Sequence, residues 1–215
     1  MKVLIGCEFT RTVASAFEHA GHFAMSCDLK EQSAPGPHYR GDIMALLNHC
    51  IEKGIWWDLI ILHPECTYMA LCGNGTYAPN GVKSEQRQEA EEWTLHLWQT
   101  AKKCGERVCL ENPKSTIFPI LRKHGAVVQY IQPHQFGHPE TKETGLALHN
   151  VKPLIPTWDV EEIMMSLPKK ERHKIWYMSP SDDRGELRSV FFPGVSRAMA
   201  EQWGLTIPNL RNQLI

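Results

Sequence analysis

Two side chains suited to covalent and acid–base chemistry, Cys66 and Glu111, each follow a short apolar run that is typical of a buried strand. His63 and Pro64 break the first run, so the thiol falls just beyond the carboxyl end of its strand. Ligands of open α/β sheets bind at that edge. A thiolate there is a nucleophile if its surroundings lower its pKa, and a nearby carboxyl group can move a proton. Taken singly, a buried structural cysteine and a solvated carboxylate are the simpler interpretations.

The elements that would hold these side chains begin with a strand–helix–strand unit. We predict a strand at 2–5, a helix that Thr10 caps and Gly21 ends, and a second strand at 23–27 followed by Asp28. Such a unit is typical of one half of a fold that binds a dinucleotide or S-adenosylmethionine (SAM), with the acid accepting ribose hydroxyls. A plain βαβ unit whose strand happens to end in Asp explains the same pattern.

The rest of the chain alternates predicted strands and helices, which indicates an α/β fold with a mostly parallel sheet and helices on both faces. These elements are 41–53, 58–62, 84–104, 107–110, 115–125, 126–131, 145–149, 160–167 and 196–203. Segments 30–40 and 73–82 are predicted loops, and the second is glycine-rich and suited to closing over a site. In the long helix, Trp93 and Trp98 are predicted to face the core and Arg87 to face solvent.

The composition changes after residue 151, so we predict a catalytic domain at 1–151 and 189–215 with a small insertion at 152–188. The insertion carries a basic cluster at 169–174 beside Trp176 and Tyr177. This cluster has the residue types that contact phosphates and bases, although a solvated helix end explains it as well.

Composition sets bounds on the protein class. The 215 residues suffice for one α/β domain, and the net charge of −1 gives no general attraction to nucleic acid. Seven cysteines without a CxxC pair indicate a reducing, cytoplasmic setting with buried thiols. We expect neither a membrane span nor a signal peptide, because no apolar run is long enough and the first strand starts at residue 2.

Several fragments in this order resemble DNA cytosine-5 methyltransferases, in the form of the short, phage-encoded members. The specific fragments are 64–66 (Pro-Glu-Cys), similar to the family's Pro-Pro-Cys loop, and 111–113 (Glu-Asn-Pro), similar to Glu-Asn-Val. Weaker matches are 7–12 to the Phe-x-Gly-x-Gly loop for SAM, 136–144 to Phe-Gly-x-Pro-Gln-x-Arg-x-Arg, and 196–204 to the closing helix. The resemblance covers most of the chain. It implies a Rossmann-like class I SAM-dependent methyltransferase fold, SAM as cofactor, DNA as substrate and, for a phage protein, the host cytoplasm.

The resemblance also implies residue roles. Cys66 would add to C6 of cytosine, which makes C5 nucleophilic enough to take a methyl group. Glu111 would protonate N3 or hold the exocyclic amine, Asn112 would position the loop, and Lys142 would stand in for the first family arginine. A base in a duplex would have to be flipped out or presented single-stranded. The implied cofactor-binding residues are Phe9, Thr10, Arg11, Asp28, Asp42, Ile43 and Pro64, and the implied substrate-binding residues are Thr67, Pro113 and Thr144. Asp42 would contact the adenine amino group, although a helix N-cap alone explains it.

The chain departs from the family pattern in three respects. Arg11 and Val13 stand where the family usually has glycines, which let the backbone approach the cofactor. Pro113 and Thr144 replace a valine and the second arginine. The insertion is also too short for extensive reading of base edges. We therefore expect low sequence specificity, a partner protein that supplies specificity, or a free nucleotide as substrate.

Three alternatives remain open at this point. One is C5 chemistry on free dCMP or with another one-carbon donor. Another is a catalytically inactive relative that binds nucleic acid, which the residues in place of the glycines favour. The third is a metal hydrolase that uses His63, Cys66 and Cys72 with a loop histidine such as His138, although their spacing is not a familiar zinc pattern.

Overall fold

A seven-stranded sheet forms the centre of the computed structural model, which describes residues 1–179, 185 and 190–205. Its strands are β1 Lys2–Gly6, β2 Phe23–Asp28, β3 His38–Arg40, β4 Leu59–Leu62, β5 Val108–Pro113, β6 Val127–Ile131 and β7 Thr144–His149. They lie in the order β3-β2-β1-β4-β5-β7-β6, and only β7 runs antiparallel to its neighbours. This sheet confirms the predicted mostly parallel, Rossmann-like class.

Helices cover both faces of the sheet. They are α1 Thr12–His19, α2 Ile43–Lys53, α3 Asn74–Tyr77, α4 Ser84–Ala101, α5 Ile117–Lys123, α6 Glu161–Ser166, α7 Lys169–Arg172, α8 Lys174–Tyr177 and α9 Pro193–Trp203. Helices α2, α4 and α5 pack in one buried cluster, and α1 and α9 pack in the other. Strand side chains alternate between the two clusters, as with Leu4 against Val3 and Ile5, so the central strands are apolar on both faces.

The order of the strands reverses at β1, which lies between β2 and β4. Loops that leave the carboxyl ends of β1, β2, β4 and β5 therefore meet at one edge of the sheet, where a crevice forms. Register holds these ends level, since Gly6 pairs with Cys27 on one side and Leu62 on the other, and Leu62 pairs with Leu110. No helix among the described residues is long and apolar enough to cross a lipid bilayer.

The described part of the predicted insertion, 152–179, contains the short helices α6, α7 and α8 and packs on the segment before β7. The Thr141 backbone N–H donates to Arg172 O (2.8 Å), and Lys174 Nζ lies 2.8 Å from Glu140 Oε1. The predicted boundary at 188/189 and the tail at 206–215 lie outside the described residues, so the domain division stays a prediction.

Two predicted loops contain regular structure. Strand β3 lies within 30–40, where three polar residues gave no apolar signal, and its backbone pairs with β2. Within 73–82, a 3₁₀ turn at Leu71–Gly73 leads into α3. Thr10 does not cap α1, whose N-cap position is Arg11 and whose first N–H groups are bound by Glu8.

Helix α4 is oriented differently from its prediction at two positions. Trp98 is fully buried, but Trp93 is 40% exposed and faces a cavity. Arg87 is buried rather than solvated, because its guanidinium donates to Tyr68 O, Ala70 O and Asn74 Oδ1. A cation with its donors satisfied in this way can be buried beneath a loop.

Candidate active site

The loop after β1 places a carboxyl group at the N-terminus of α1. Glu8 Oε1 accepts a hydrogen bond from Val13 N (2.6 Å), and Oε2 accepts one from Ala14 N (3.2 Å). Glu8 is only 5% exposed, and this burial raises its pKa, while His63, the two N–H groups and Arg11 act in the opposite direction. Dinucleotide-binding folds hold a pyrophosphate on the N–H groups of this helix. Here those two N–H groups are already bound, which disfavours a phosphate at this position.

Arg11 explains how the loop after β1 forms without the glycines that the resembled methyltransferases have there. Its backbone adopts φ 59°, the left-handed conformation that glycine adopts readily. Its buried guanidinium turns to the segment before β3, where it donates to Pro35 O (3.0 Å), to Pro37 O and to Ser26 Oγ (3.1 Å). It also pairs with Glu18 at 2.8 Å. The side chain therefore does not line the cavity described next, although the implied role was cofactor binding.

A cavity of about 1110 Å³ opens at the carboxyl edge of the sheet. Its walls bring together most of the residues to which the resemblance gave a role: Phe9, Thr10, Asp28, Asp42, Ile43, Pro64, Cys66, Thr67, Glu111, Asn112, Pro113 and Lys142. Arg11 and Thr144 do not line it. Thr144 is buried behind the wall, where its hydroxyl donates to Lys142 O (3.1 Å).

One half of the cavity is formed by the loop after β4 and by the last residues of the neighbouring strand β5. The Asn112 side-chain amide donates to Pro64 O (3.0 Å), which ties the end of β5, where Glu111 lies, to the loop of Cys66. Asn112 is almost fully buried, so this bond is shielded from water. Cys66 and Glu111 therefore face the same space from adjacent strands.

Charges around Cys66 act on its thiol in opposite directions. Burial, the largest cause, raises the pKa of Cys66, and the Glu111 carboxylate raises it further, whereas Lys142 lowers it. Lys142 Nζ donates to Val190 O (3.2 Å) and lies 5.5 Å from the centre of the Phe192 ring. With no ligand bound, the thiol is mainly protonated at neutral pH, since its ordinary value is already near 9.0.

His63 is a member of this half that the sequence suggested only as a metal ligand. Its Nδ1 lies 3.0 Å from Glu111 Oε2, and each of the two side chains is 12% exposed. Its Nε2 is buried and has no hydrogen-bond partner among the described residues. Phe191 packs edge-on against the ring at 5.2 Å between centroids. The sequence did contain one indication that His63 belongs to the site, because it lies at the end of β4, two residues before Glu65.

The other half of the cavity lies beyond β1 and β2. Asp28 Oδ1 accepts from Lys30 N (2.9 Å), and Lys30 Nζ lies 4.9 Å from the centre of the Phe9 ring. Asp42 Oδ1 accepts from Ala45 N (2.8 Å), so Asp42 is the N-cap of α2 as well as a wall residue. Sequence reasoning missed Glu8 and Trp93 as wall residues.

The residues of the metal-hydrolase alternative do not form a ligand cluster within the described part of the chain. The group there with metal-like spacing is His134, Asp159 and Glu161, whose ligand atoms lie within 4.8 Å of one another. Asp159 Oδ1 is bound by His134 Nδ1 (3.1 Å) and by Glu161 N (3.0 Å). Asp159 thus binds the backbone N–H of the first residue of α6, which accounts for the closeness of these three side chains without a metal.

Comparisons with known proteins concern the fold. No family model matches the chain, and no curated protein matches it in sequence. A solved structure similar to it is a protein of an E. coli prophage, provisionally named a DNA modification methyltransferase, at 13% identity and a TM-score of 0.49 over 79% of this chain and 56% of that one. Another is the Dnmt2 methyltransferase of S. pombe, at 18% identity and 0.47 over 85% and 61%. The chain thus spans 56% and 61% of the lengths of these two methyltransferases, which it resembles in fold alone.

Proposed function

We propose that the chain transfers a methyl group from SAM to C5 of cytosine in DNA, through a covalent adduct between Cys66 and C6, with low sequence specificity. The observation that carries this proposal is the meeting of Cys66 and Glu111 in one cavity whose far wall holds Asp28 and Asp42. One wall thus carries a nucleophile and an acid, and the opposite wall carries two carboxylates. Two separate sets of side chains in one cavity suit a reaction between two bound molecules.

Four side chains have separate roles in the proposed methyl transfer. Cys66 loses its proton to solvent, and its sulfur bonds to C6 while the C5–C6 double-bond pair shifts into the ring. Glu111, after it has taken up a proton from solvent, gives that proton to N3, so negative charge does not build up on the base. Lys142 favours the thiolate, and Asn112 keeps the two loops in register. SAM, when bound, would supply the electrophilic methyl group that C5 takes. Loss of the C5 proton to solvent then restores the C5–C6 double bond as the C6–S bond breaks, which releases Cys66.

The half of the cavity beyond β1 and β2, which we propose holds the cofactor, fits SAM better than a dinucleotide. SAM carries no phosphate, and the helix N-terminus that would bind one is capped by Glu8. Asp28 at the end of β2 suits the ribose hydroxyls, and Asp42 and Ile43 border the same space. The cavity volume of about 1110 Å³ exceeds the roughly 300–1,000 Å³ of a typical single-ligand site, which leaves room for a base beside the cofactor.

The proposed substrate is inferred from the half of the cavity around Cys66, where we place the cytosine base. Thr67 and Pro113 border the cavity near Cys66 and are proposed to contact the base, whereas Thr144 supports Lys142 from behind. The described insertion offers only three short helices, so a partner protein would have to supply any extended specificity. The same small size favours the second candidate, C5 modification of a free cytosine nucleotide.

Trapping with 5-fluorocytosine tests the proposal, because fluorine at C5 blocks release of the enzyme from the methylated adduct. Wild-type protein is incubated with SAM and with fluorinated duplex DNA, single-stranded DNA or free nucleotide, and the adduct is measured by mass. We expect an adduct with DNA that disappears in Cys66→Ser and persists in the matched control Cys72→Ser. An adduct with the nucleotide alone would select the second candidate. A folded protein that forms none in any arm would be an inactive relative.

A further inference from the structure

The His63 ring contacts one nearly buried acid, Glu111, and acts electrostatically on a second, Glu8, which comes from a different element. Glu111 on β5 meets its Nδ1 at 3.0 Å. Glu8, from the loop after β1, is near enough for His63 to lower its pKa against the larger effect of burial. The other charged or titratable groups that line this cavity include Cys7, Glu65, Cys66, Tyr68 and Lys142, while Phe191 packs edge-on against the ring.

The geometry restricts where the protons of this cluster can lie. A carboxylate only accepts hydrogen bonds, so a 3.0 Å contact between Nδ1 and Oε2 requires a proton on Nδ1 when Glu111 is ionised. That bond orients the carboxyl plane and occupies one of its oxygens. A proton that Glu111 passes to a base in the cavity then belongs on Oε1.

We propose that His63 is a positioning residue for Glu111: its Nδ1–H fixes Oε2, directs Oε1 to the substrate base and stabilises the carboxylate that remains after proton transfer. This inference rests on the function proposed above, because the base that takes the proton is the cytosine. The interaction also offsets part of the negative charge that Glu111 presents to Cys66. It therefore has a consequence that can be measured without any substrate.

Three His63 and Glu111 variants in a Cys72→Ser background separate the contributions of the ring. His63→Asn keeps a side-chain N–H near the Nδ1 position but does not titrate, His63→Leu removes the donor, and Glu111→Gln removes the charge. The substrate-free measurement is the rate at which iodoacetamide alkylates Cys66 between pH 6 and 10, followed by peptide mass. We expect His63→Leu to slow alkylation at pH 8 about 3- to 10-fold, because a higher pKa of Cys66 lowers the fraction of thiolate. His63→Asn should stay within about twofold of the parent protein.

The second measurement is the rate of the fluorocytosine adduct against pH. His63→Leu should form the adduct about 100-fold more slowly, the usual size of a general-acid contribution, and His63→Asn should recover to within about 10-fold.

The outcomes distinguish this inference from the proposed function. If the parent protein gives no adduct, the proposed function fails, and alkylation alone decides the role of His63. Equal alkylation rates in His63→Leu and the parent overturn the inference, as does a folded His63→Asn that is as slow as His63→Leu. If His63→Leu does not fold, ¹⁵N NMR of the ring decides, because a neutral ring protonated on Nε2 rather than Nδ1 contradicts the proposed bond.

Discussion

At the scale of single residues, the reactivity of Cys66 is set by two neighbours of opposite charge. Burial and Glu111 both raise its pKa, and only Lys142 among the main causes lowers it appreciably. A cysteine in this setting reacts slowly with general oxidants and alkylating agents. Its activation therefore depends on a bound substrate or cofactor that brings hydrogen-bond donors or positive charge to the thiolate.

The two charges predict opposite effects on the same thiol. Lys142→Met should slow alkylation of Cys66 at pH 8 by roughly 3- to 10-fold, because the charge that favours the thiolate is lost. Glu111→Gln should accelerate it by a similar factor, because the opposing charge is lost. Alkylation rates from pH 7 to 10 measure both, with the exposed Lys152→Met as a control of equal charge change. Shifts of the same sign in both variants would contradict this account of the thiol.

Glu8 predicts a pH-dependent stability. Its pKa is raised in the folded state above the ordinary 4.5, so it favours folding fully below pH 4.5 and loses that contribution as the pH rises through its folded value. Glu8→Gln removes this titration and keeps an acceptor for the N–H groups of α1. The melting temperature of Glu8→Gln relative to wild type should therefore increase from pH 5 to pH 8. The exposed Glu52→Gln should show no such trend, and a constant difference in Glu8→Gln would exclude a raised pKa.

At the scale of elements, Arg11 connects three parts of the chain: α1, β2 and the segment before β3. Its hydrogen bonds reach Pro35, Ser26 and Glu18, so this side chain fixes the approach to β3 while its backbone forms the turn before α1. The position thus combines the conformation of a glycine with the contacts of an arginine. This explains why a strand of only three residues is ordered at the edge of the sheet.

Removing this connection should be costly. Arg11→Met should lower the free energy of unfolding by about 2–4 kcal/mol, because it removes a buried guanidinium with its hydrogen bonds to Pro35 O and Ser26 Oγ and leaves Glu18 without its ion-pair partner. Glu18→Gln should cost only about 1 kcal/mol, since that side chain is 30% exposed and keeps a hydrogen-bonding group. Urea denaturation measures both. If Arg11→Met were as stable as wild type, its hydrogen bonds would have no structural importance.

The elements also explain what the sequence could predict. Strands β1 and β4 were predictable because apolar runs buried on both faces stand out from their surroundings. Strand β3 was not, because its three polar residues are held by backbone pairing and by Arg11 from a distant loop. Periodicity placed α4 correctly, but it assigned Arg87 to solvent because it carries no information about the loop that folds over that helix.

At the scale of the whole molecule, the reversal of strand order at β1 creates the cavity. Residues separated by more than 100 positions, such as Thr10 and Lys142, line one space because β1 ends and the antiparallel β7 begins at the same edge. That convergence was predictable from the order of the motifs. The bond between His63 and Glu111 was not predictable, because these residues lie 48 positions apart, just after β4 and within β5, and nothing in the sequence indicates the distance between their side chains.

This architecture predicts selectivity between adenosine-containing cofactors. SAM should bind by calorimetry, whereas NAD⁺ should show no binding at millimolar concentration, because Glu8 holds the N–H groups of α1 that would receive its pyrophosphate. Asp28→Asn should weaken SAM about 10- to 100-fold, since hydrogen bonds to a charged acceptor contribute roughly 1.5–3 kcal/mol. Glu52→Gln, on the exposed side of α2, should bind SAM like wild type. Tight NAD⁺ binding would mean that Glu8 leaves its position on the helix. Unchanged SAM affinity in Asp28→Asn would mean that the ribose lies elsewhere. Either result would contradict the methyltransferase chemistry proposed for this Rossmann-like sheet.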